Sequence, residues 1–206
     1  MAKINKKEKS VVTEKEYKLN ILDDIFDDNN FADVKLASKL DYLRYEANTM
    51  FNKNTVEGYI SSMIIYHQLI EEMIKMLINF SSNHIQLKIF PYKIEKRNLK
   101  GKLFKNLLEE FKKLLLTPKI ELFIDKSYKF NELRNITVHR SITVKSVKST
   151  FIQCKKVKKL FGEIFDLYVD ISNEFIELWK SGDLIEAIKI SLGINDKTIK
   201  NKVKDA

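Results

Sequence analysis

Apolar residues recur along this chain at helical spacing, three and four apart, over most of its length. Between Tyr59 and Phe80, the residues Ile60, Met63, Ile64, Ile70, Met73, Ile74 and Leu77 make a broad apolar stripe. Such a stripe predicts a core helix, with Thr55 as its N-cap and Glu57 and Gly58 in its first turn. Upstream, Leu36, Leu40, Leu43, Ala47, Met50 and Phe51 share one face of a helix capped by Asp33 and running to about Asn52. Past a loop through Pro91, the spacing of Leu103, Leu107, Leu108, Phe111 and Leu115 predicts a buried face on a helix over 100–116, stopped by Thr117-Pro118. Residues 120–141 read as helical with a break near Asp125–Tyr128. Thr150 stands as a cap for a long helix over 151–179, and Ser181-Gly182 ends it. Shorter helices are expected over 13–25 and 183–192.

Helices with inward stripes pack as bundles, so the fold class is all-α, an antiparallel bundle of four to six helices. Five glycines and two prolines leave few turns for a β-sandwich, and 206 residues suit one well-buried domain. The expected organisation is a disordered basic arm over 1–12, a single helical domain over 13–192 and a lysine-rich tail over 193–206. The acidic patch Asp23–Asp28 lacks the spacing of a calcium loop and reads as a solvated surface. Tyr59–Phe80 carries His67, Glu71, Glu72 and Lys75, which argues against a membrane span. The basic start is not followed by the apolar core of a signal peptide. A soluble cytoplasmic protein is the expectation. Cys154 is the only cysteine, so an internal disulfide is excluded, and a buried, inert thiol is expected.

The chemistry concentrates in Phe130–Arg140, which holds one of only three histidines. Asn135 and His139 are i,i+4 neighbours on one helix face. Arg134 lies roughly 140° around the helix from His139, so only its long side chain can serve the same substrate. Arginine, amide and imidazole together suit the binding of a phosphodiester and proton transfer near neutral pH. By spacing alone, a histidine beside apolar residues is more often a packing residue than a catalyst. The order of Arg134, the polar Asn135 and His139 resembles the R-x4-H ribonuclease signature of the HEPN superfamily of small all-α domains. Upstream, Glu71 and Lys75 form an acidic-x3-basic pair on the core helix, similar to a pair often found in that family. On its own this pair is an ordinary helix-surface ion pair. The resemblance spans about Val56 to Trp179.

The resemblance implies a metal-independent endoribonuclease that needs no cofactor. His139 would act as general acid or base, Arg134 would hold the scissile phosphate, and Asn135 would position His139 or a phosphate oxygen. It also implies a homodimer with a composite site, and a role in host defence or as a toxin, with an antitoxin or defence-system partner. In related toxins a tyrosine two residues after the histidine is the regulatory position. Ser141 stands there in this chain, so regulation through that tyrosine is not supported.

Charge points the same way. The net charge is +9, and six lysines fall between 141 and 162 with no acid: Lys145, Lys148, Lys155, Lys156, Lys158 and Lys159. Together with Arg140 they start directly after His139, where they could hold RNA through sequence-independent phosphate contacts. A solvated lysine face kept for solubility is the plain alternative. A phosphate-binding glycine loop, CxxC and HExxH are all missing from the sequence, and no metal site is expected. His67 and Glu71, four apart, read as a hydrogen-bonding pair at the edge of the core, and His84 as an exposed loop residue. The rival function is a non-catalytic HEPN-like module for RNA or nucleotide binding or for dimerisation.

Overall fold

The computed structural model describes residue 13 and residues 16–21, 34–95, 97–114, 116–141 and 147–180. At 34–37, 139–141, 147, 179 and 180 it describes the backbone alone. The terminal segments 1–12 and 193–206, the patch Asp23–Asp28, the cap Asp33 and the helix expected over 183–192 lie outside the described residues. So do Lys145 and the side chains of His139, Arg140 and Ser141.

Every regular element among the described residues is α-helical, as the spacing predicted. A short helix, α1 (16–21), opens with a capping box: the Glu16 carboxylate accepts from the Thr13 backbone N–H at 2.8 Å, and Thr13 Oγ1 accepts from Glu16 N–H at 3.2 Å. The remaining helices are α2 (Val34–Asn52), α3 (Val56–Lys88), α4 (Phe104–Lys112), α5 (Pro118–Ser141) and α6 (Val147–Lys180).

The central element is α3, which touches α2, α4, α5 and α6. Its N-cap is Thr55, whose side chain accepts from Gly58 N–H. At Gly58 any side chain would meet the α2 backbone, because a Cβ there would come within 2.5 Å of the Met50 carbonyl oxygen. Polar and aromatic pairs fix the register around α3. Tyr66 donates to Asn48 Oδ1 of α2 at 2.8 Å and stacks on Phe161 of α6. Tyr168 of α6 donates to Met76 Sδ at 3.2 Å. These contacts run α2 antiparallel to α3 and α6 parallel to it. Lys126 and Lys119 of α5 pair with Glu163 and Glu174 of α6 at 2.6 and 2.5 Å, so α5 runs antiparallel to α6.

Several boundaries differ from the sequence expectation. The central helix continues past Phe80 to Lys88, so His84 is helical and half-buried, with its ring against Phe175, rather than exposed in a loop. Packing of Phe80, Ser81 and Leu87 into the core outweighs the weak helix propensity of Ser81-Ser82-Asn83. Ile64 falls outside the buried stripe and is 40% exposed. The fourth helix begins at Phe104 instead of Lys100, because Gly101 adopts φ +71° and breaks any earlier turn. Leu103 then becomes the N-cap position and is 73% exposed rather than buried.

No break interrupts α5 at Asp125–Tyr128. Pro118 occupies its first position, Thr117 Oγ1 accepts from Ile120 N–H, and Ser127 faces the core on a continuous helix. The last helix starts at Val147, which places Thr150 inside its first turns, buried, and not at its cap.

The segment between α3 and α4 doubles back along α3. Gln86 holds it by donating to the Tyr92 carbonyl and accepting from Ile94 N–H. Glu110 of α4 holds it again, through Lys102 and Arg97, which together with Lys113 at the end of α4 keep the carboxyl down at about 2. A carboxyl depressed in the folded state contributes stability above its unfolded value near 4.5 and loses it as pH falls toward about 2. Glu110→Gln is therefore expected to unfold at lower urea than the wild type at pH 7. That gap should close as pH drops from 4.5 to about 2, and a gap independent of pH would refute the ionic role.

Candidate functional site

The polar residues singled out on α3 and α5 face each other across the helix interface. His67, on α3, projects toward α5, where its Nε2–H donates to Asn131 Oδ1 at 3.2 Å. Its ring stacks on Phe104 at the start of α4, with centroids 4.5 Å apart, and lies 6.5 Å from Phe130. Four residues along α3, Glu71 Oε1 is 3.8 Å from His67 Nδ1. That separation is too long for a hydrogen bond. The side chains are 13% and 27% exposed, so desolvation dominates both. Burial pushes the His67 imidazole below its usual titration range, and the Arg134 guanidinium lowers it further. Burial pushes the Glu71 carboxyl up, against the opposing pull of Lys75 and Arg134.

Arg134 sits one turn past Asn131 on the same face of α5. Its Nη1–H donates to Asn135 Oδ1 at 2.8 Å. Its Nε is buried and donates to no acceptor among the described residues. An unanswered guanidinium donor in a partly desolvated cluster favours an anion with an oxygen to offer. Asn135 thereby orients Arg134.

The sequence-predicted residues therefore separate into four groups. Arg134, Asn135 and Glu71 come together around His67 and Asn131, neither of which was expected in the site. Lys75 belongs to the edge of this cluster, and its ion pair is with Glu72 at 2.7 Å rather than with Glu71. The three-residue spacing to Glu72 brings the ammonium within reach while Glu71 turns toward His67. His139 lies on α5 one turn beyond Asn135, with its side chain outside the described residues, as are Arg140 and Lys145.

Lys148, Lys155 and Lys156 are exposed on α6. Continuing the register set by Lys126–Glu163, the turn of α6 with Lys155 and Lys156 lies level with the turn of α5 that holds Arg134. Neighbouring Lys158 is stacked over the Phe51 ring, 4.4 Å from its centroid, and so has a packing role. At the other end of α5, a groove of about 640 Å³ is lined by Asp170, Glu174, Glu177 and Lys119, a predominantly acidic surface that would repel a polyanion.

His67 left a sequence signal, its i,i+4 relation to Glu71, but the signal did not reveal that Asn131 and Arg134 stand opposite. Cys154 is buried and its thiol is pushed up to about 12 by desolvation, which removes it as a nucleophile at neutral pH. No group of three or more His, Cys, Asp or Glu converges among the described residues. Among them, too, no helix is long and apolar enough to cross a membrane. Set against known protein families, curated proteins and solved structures, the chain finds no match.

The raised Glu71 carboxyl makes a specific prediction. A carboxyl whose folded value exceeds its unfolded one favours folding below about 4.5 and loses that contribution as pH rises through the folded value. Glu71→Gln carries no charge to desolvate. Its urea midpoint relative to the wild type is expected to improve between pH 4 and pH 7, and a relative decline over that interval would count against the desolvated carboxyl.

Proposed function

We propose that this chain is a metal-independent endoribonuclease of HEPN type, with a helical-bundle architecture like that of the family its motifs resemble. The observation that carries the reading is the placement of Arg134. Its half-buried guanidinium is oriented by Asn135, flanked by His67 and Glu71, and keeps one buried donor without a partner among the described residues. The exposed lysines of α6 level with that turn add the sequence-independent attraction a polyanion needs.

The chemistry follows from these groups. Arg134 takes a non-bridging phosphate oxygen and offsets the charge that grows on it in the transition state. A base removes the proton of the ribose 2′-OH, the 2′-oxygen bonds to phosphorus, and the bond to the 5′-oxygen breaks. An acid protonates that leaving oxygen. The products are a 2′,3′-cyclic phosphate and a 5′-hydroxyl. His139 is one of the two proton-transfer groups. In this proposal a second copy of the chain supplies the other, its His139 facing the same cleft in a symmetric dimer. A defence or toxin role, with an antitoxin or defence-system partner, belongs to the same reading.

Incubating RNA in EDTA with the wild type, His139→Ala and Arg134→Ala tests the activity. The wild type is expected to leave cyclic-phosphate ends, and each variant to lose about two or more orders of magnitude in rate. Equal cleavage by all three would sink the proposal. For binding, Lys155→Ala with Lys156→Ala is expected to weaken RNA affinity and flatten its salt dependence by about one to two units of logarithmic slope. An unchanged slope would remove these lysines from the interface.

A further inference from the structure

Arg134 has a neighbour that the R-x4-H pattern does not contain. His67 reaches α5 at Asn131, three residues before Arg134, and 13% of its side chain remains open to solvent. Among the described residues, few charged groups face the imidazole. From α3 comes Glu71, 3.8 Å from Nδ1, with Glu72 and Lys75 paired to each other beyond it. From α5 comes Arg134, whose positive charge opposes a proton on His67. From α4 comes the uncharged ring of Phe104.

Coupling between two such sites is reciprocal. If the Arg134 charge disfavours a proton on His67, an anion that offsets Arg134 must favour that proton. By the same amount, the proton must favour the anion. We propose that Arg134 and His67 form one coupled anion-and-proton site, in which an RNA phosphodiester settling on Arg134 draws a proton from solvent onto His67. This rests on the RNA reading above and deepens it.

One proton enters from water, no covalent bond to the substrate forms or breaks, and the imidazole becomes an imidazolium. Nε2 already carries the hydrogen donated to Asn131, so the incoming proton goes to Nδ1, the nitrogen that faces Glu71. The new positive charge is then met by the carboxylate on its own helix and by the bound phosphodiester. With Nε2 held by Asn131 and Nδ1 facing the Glu71 carboxylate, His67 is a positioning residue and not a group that attacks or protonates RNA. RNA affinity accordingly strengthens as pH falls through the His67 titration.

The experiment uses the full chain and a short 2′-O-methyl RNA, which keeps the phosphodiesters but lacks the hydroxyl needed for cleavage. Binding is followed by fluorescence anisotropy, and His67 is titrated by ring-nitrogen NMR, its signal assigned by its loss in His67→Gln. In the wild type, saturation with the probe is expected to raise the His67 midpoint by about one pH unit. Free Arg134→Gln is expected to show a raised midpoint already, which the probe no longer moves, and Arg134→Lys to restore the wild-type response. If the probe binds and the wild-type midpoint stays put, the coupling is wrong while the RNA reading survives. If the probe does not bind, the RNA reading fails and the coupling with it. An unchanged midpoint in free Arg134→Gln also overturns the coupling. Should that variant not fold, the wild-type comparison alone decides.

Discussion

The burial of α3 is the constraint on which the rest depends. A helix of 33 residues touched by four others turns much of its surface inward, so most polar groups on its buried faces must be answered by a neighbour. An unanswered buried group costs about 1–3 kcal/mol, comparable to a sizeable share of a small domain's net stability. The answers come from different helices. Asn48 of α2 accepts from Tyr66, Asn131 of α5 accepts from His67, and the Tyr92 carbonyl and Ile94 amide of the returning loop both bond to Gln86. Hydrophobic burial drives these helices together without direction. The polar pairs decide how far each one slides and which face it turns inward.

That division of labour explains the site. Once His67 is tied to Asn131, the rotation of α5 is set, and Arg134 one turn later must stand beside the same stretch of α3. The guanidinium then shares a poorly hydrated environment with a carboxyl that burial pushes up and an imidazole that burial pushes down. Two groups displaced toward each other in this way, beside a fixed positive charge, form an arrangement whose charge responds to what binds there. A surface cluster of the same residues would be screened by water and would respond far less.

Element type was legible in the sequence because it depends on local periodicity. The stripe Met63, Ile70, Met73, Ile74 and Leu77 is buried as its spacing predicted. The Thr55 cap was equally legible, because its hydrogen bond is local. What escaped prediction depends on contacts far apart in sequence. Continuation of α3 through Ser81-Ser82-Asn83 requires α6 to receive Phe80 and His84, and the unbroken path of α5 past Ser127 requires a core that accepts a small hydroxyl residue. For the site, Arg134 and Asn135 were visible as a spacing and Glu71 as half of a pair. The choice of Glu72 by Lys75, and the arrival of His67 at Asn131, depend on side-chain directions that a linear pattern does not encode.

Phe104 closes the cluster, and it does so from an unusual direction. The residues that define the geometry belong to long helices, whereas the ring that covers His67 is delivered by the end of the returning loop, held in turn by Gln86 and Glu110. Arrangement and insulation thus have separate owners in the chain. A change in the loop's anchoring would admit water to the imidazole without displacing Asn131 or Arg134, altering the dielectric around the charges while leaving their distances alone. Sequence drift in this loop could therefore tune the strength of the site's electrostatics independently of its shape, much as a dimmer acts on a lamp whose wiring is untouched.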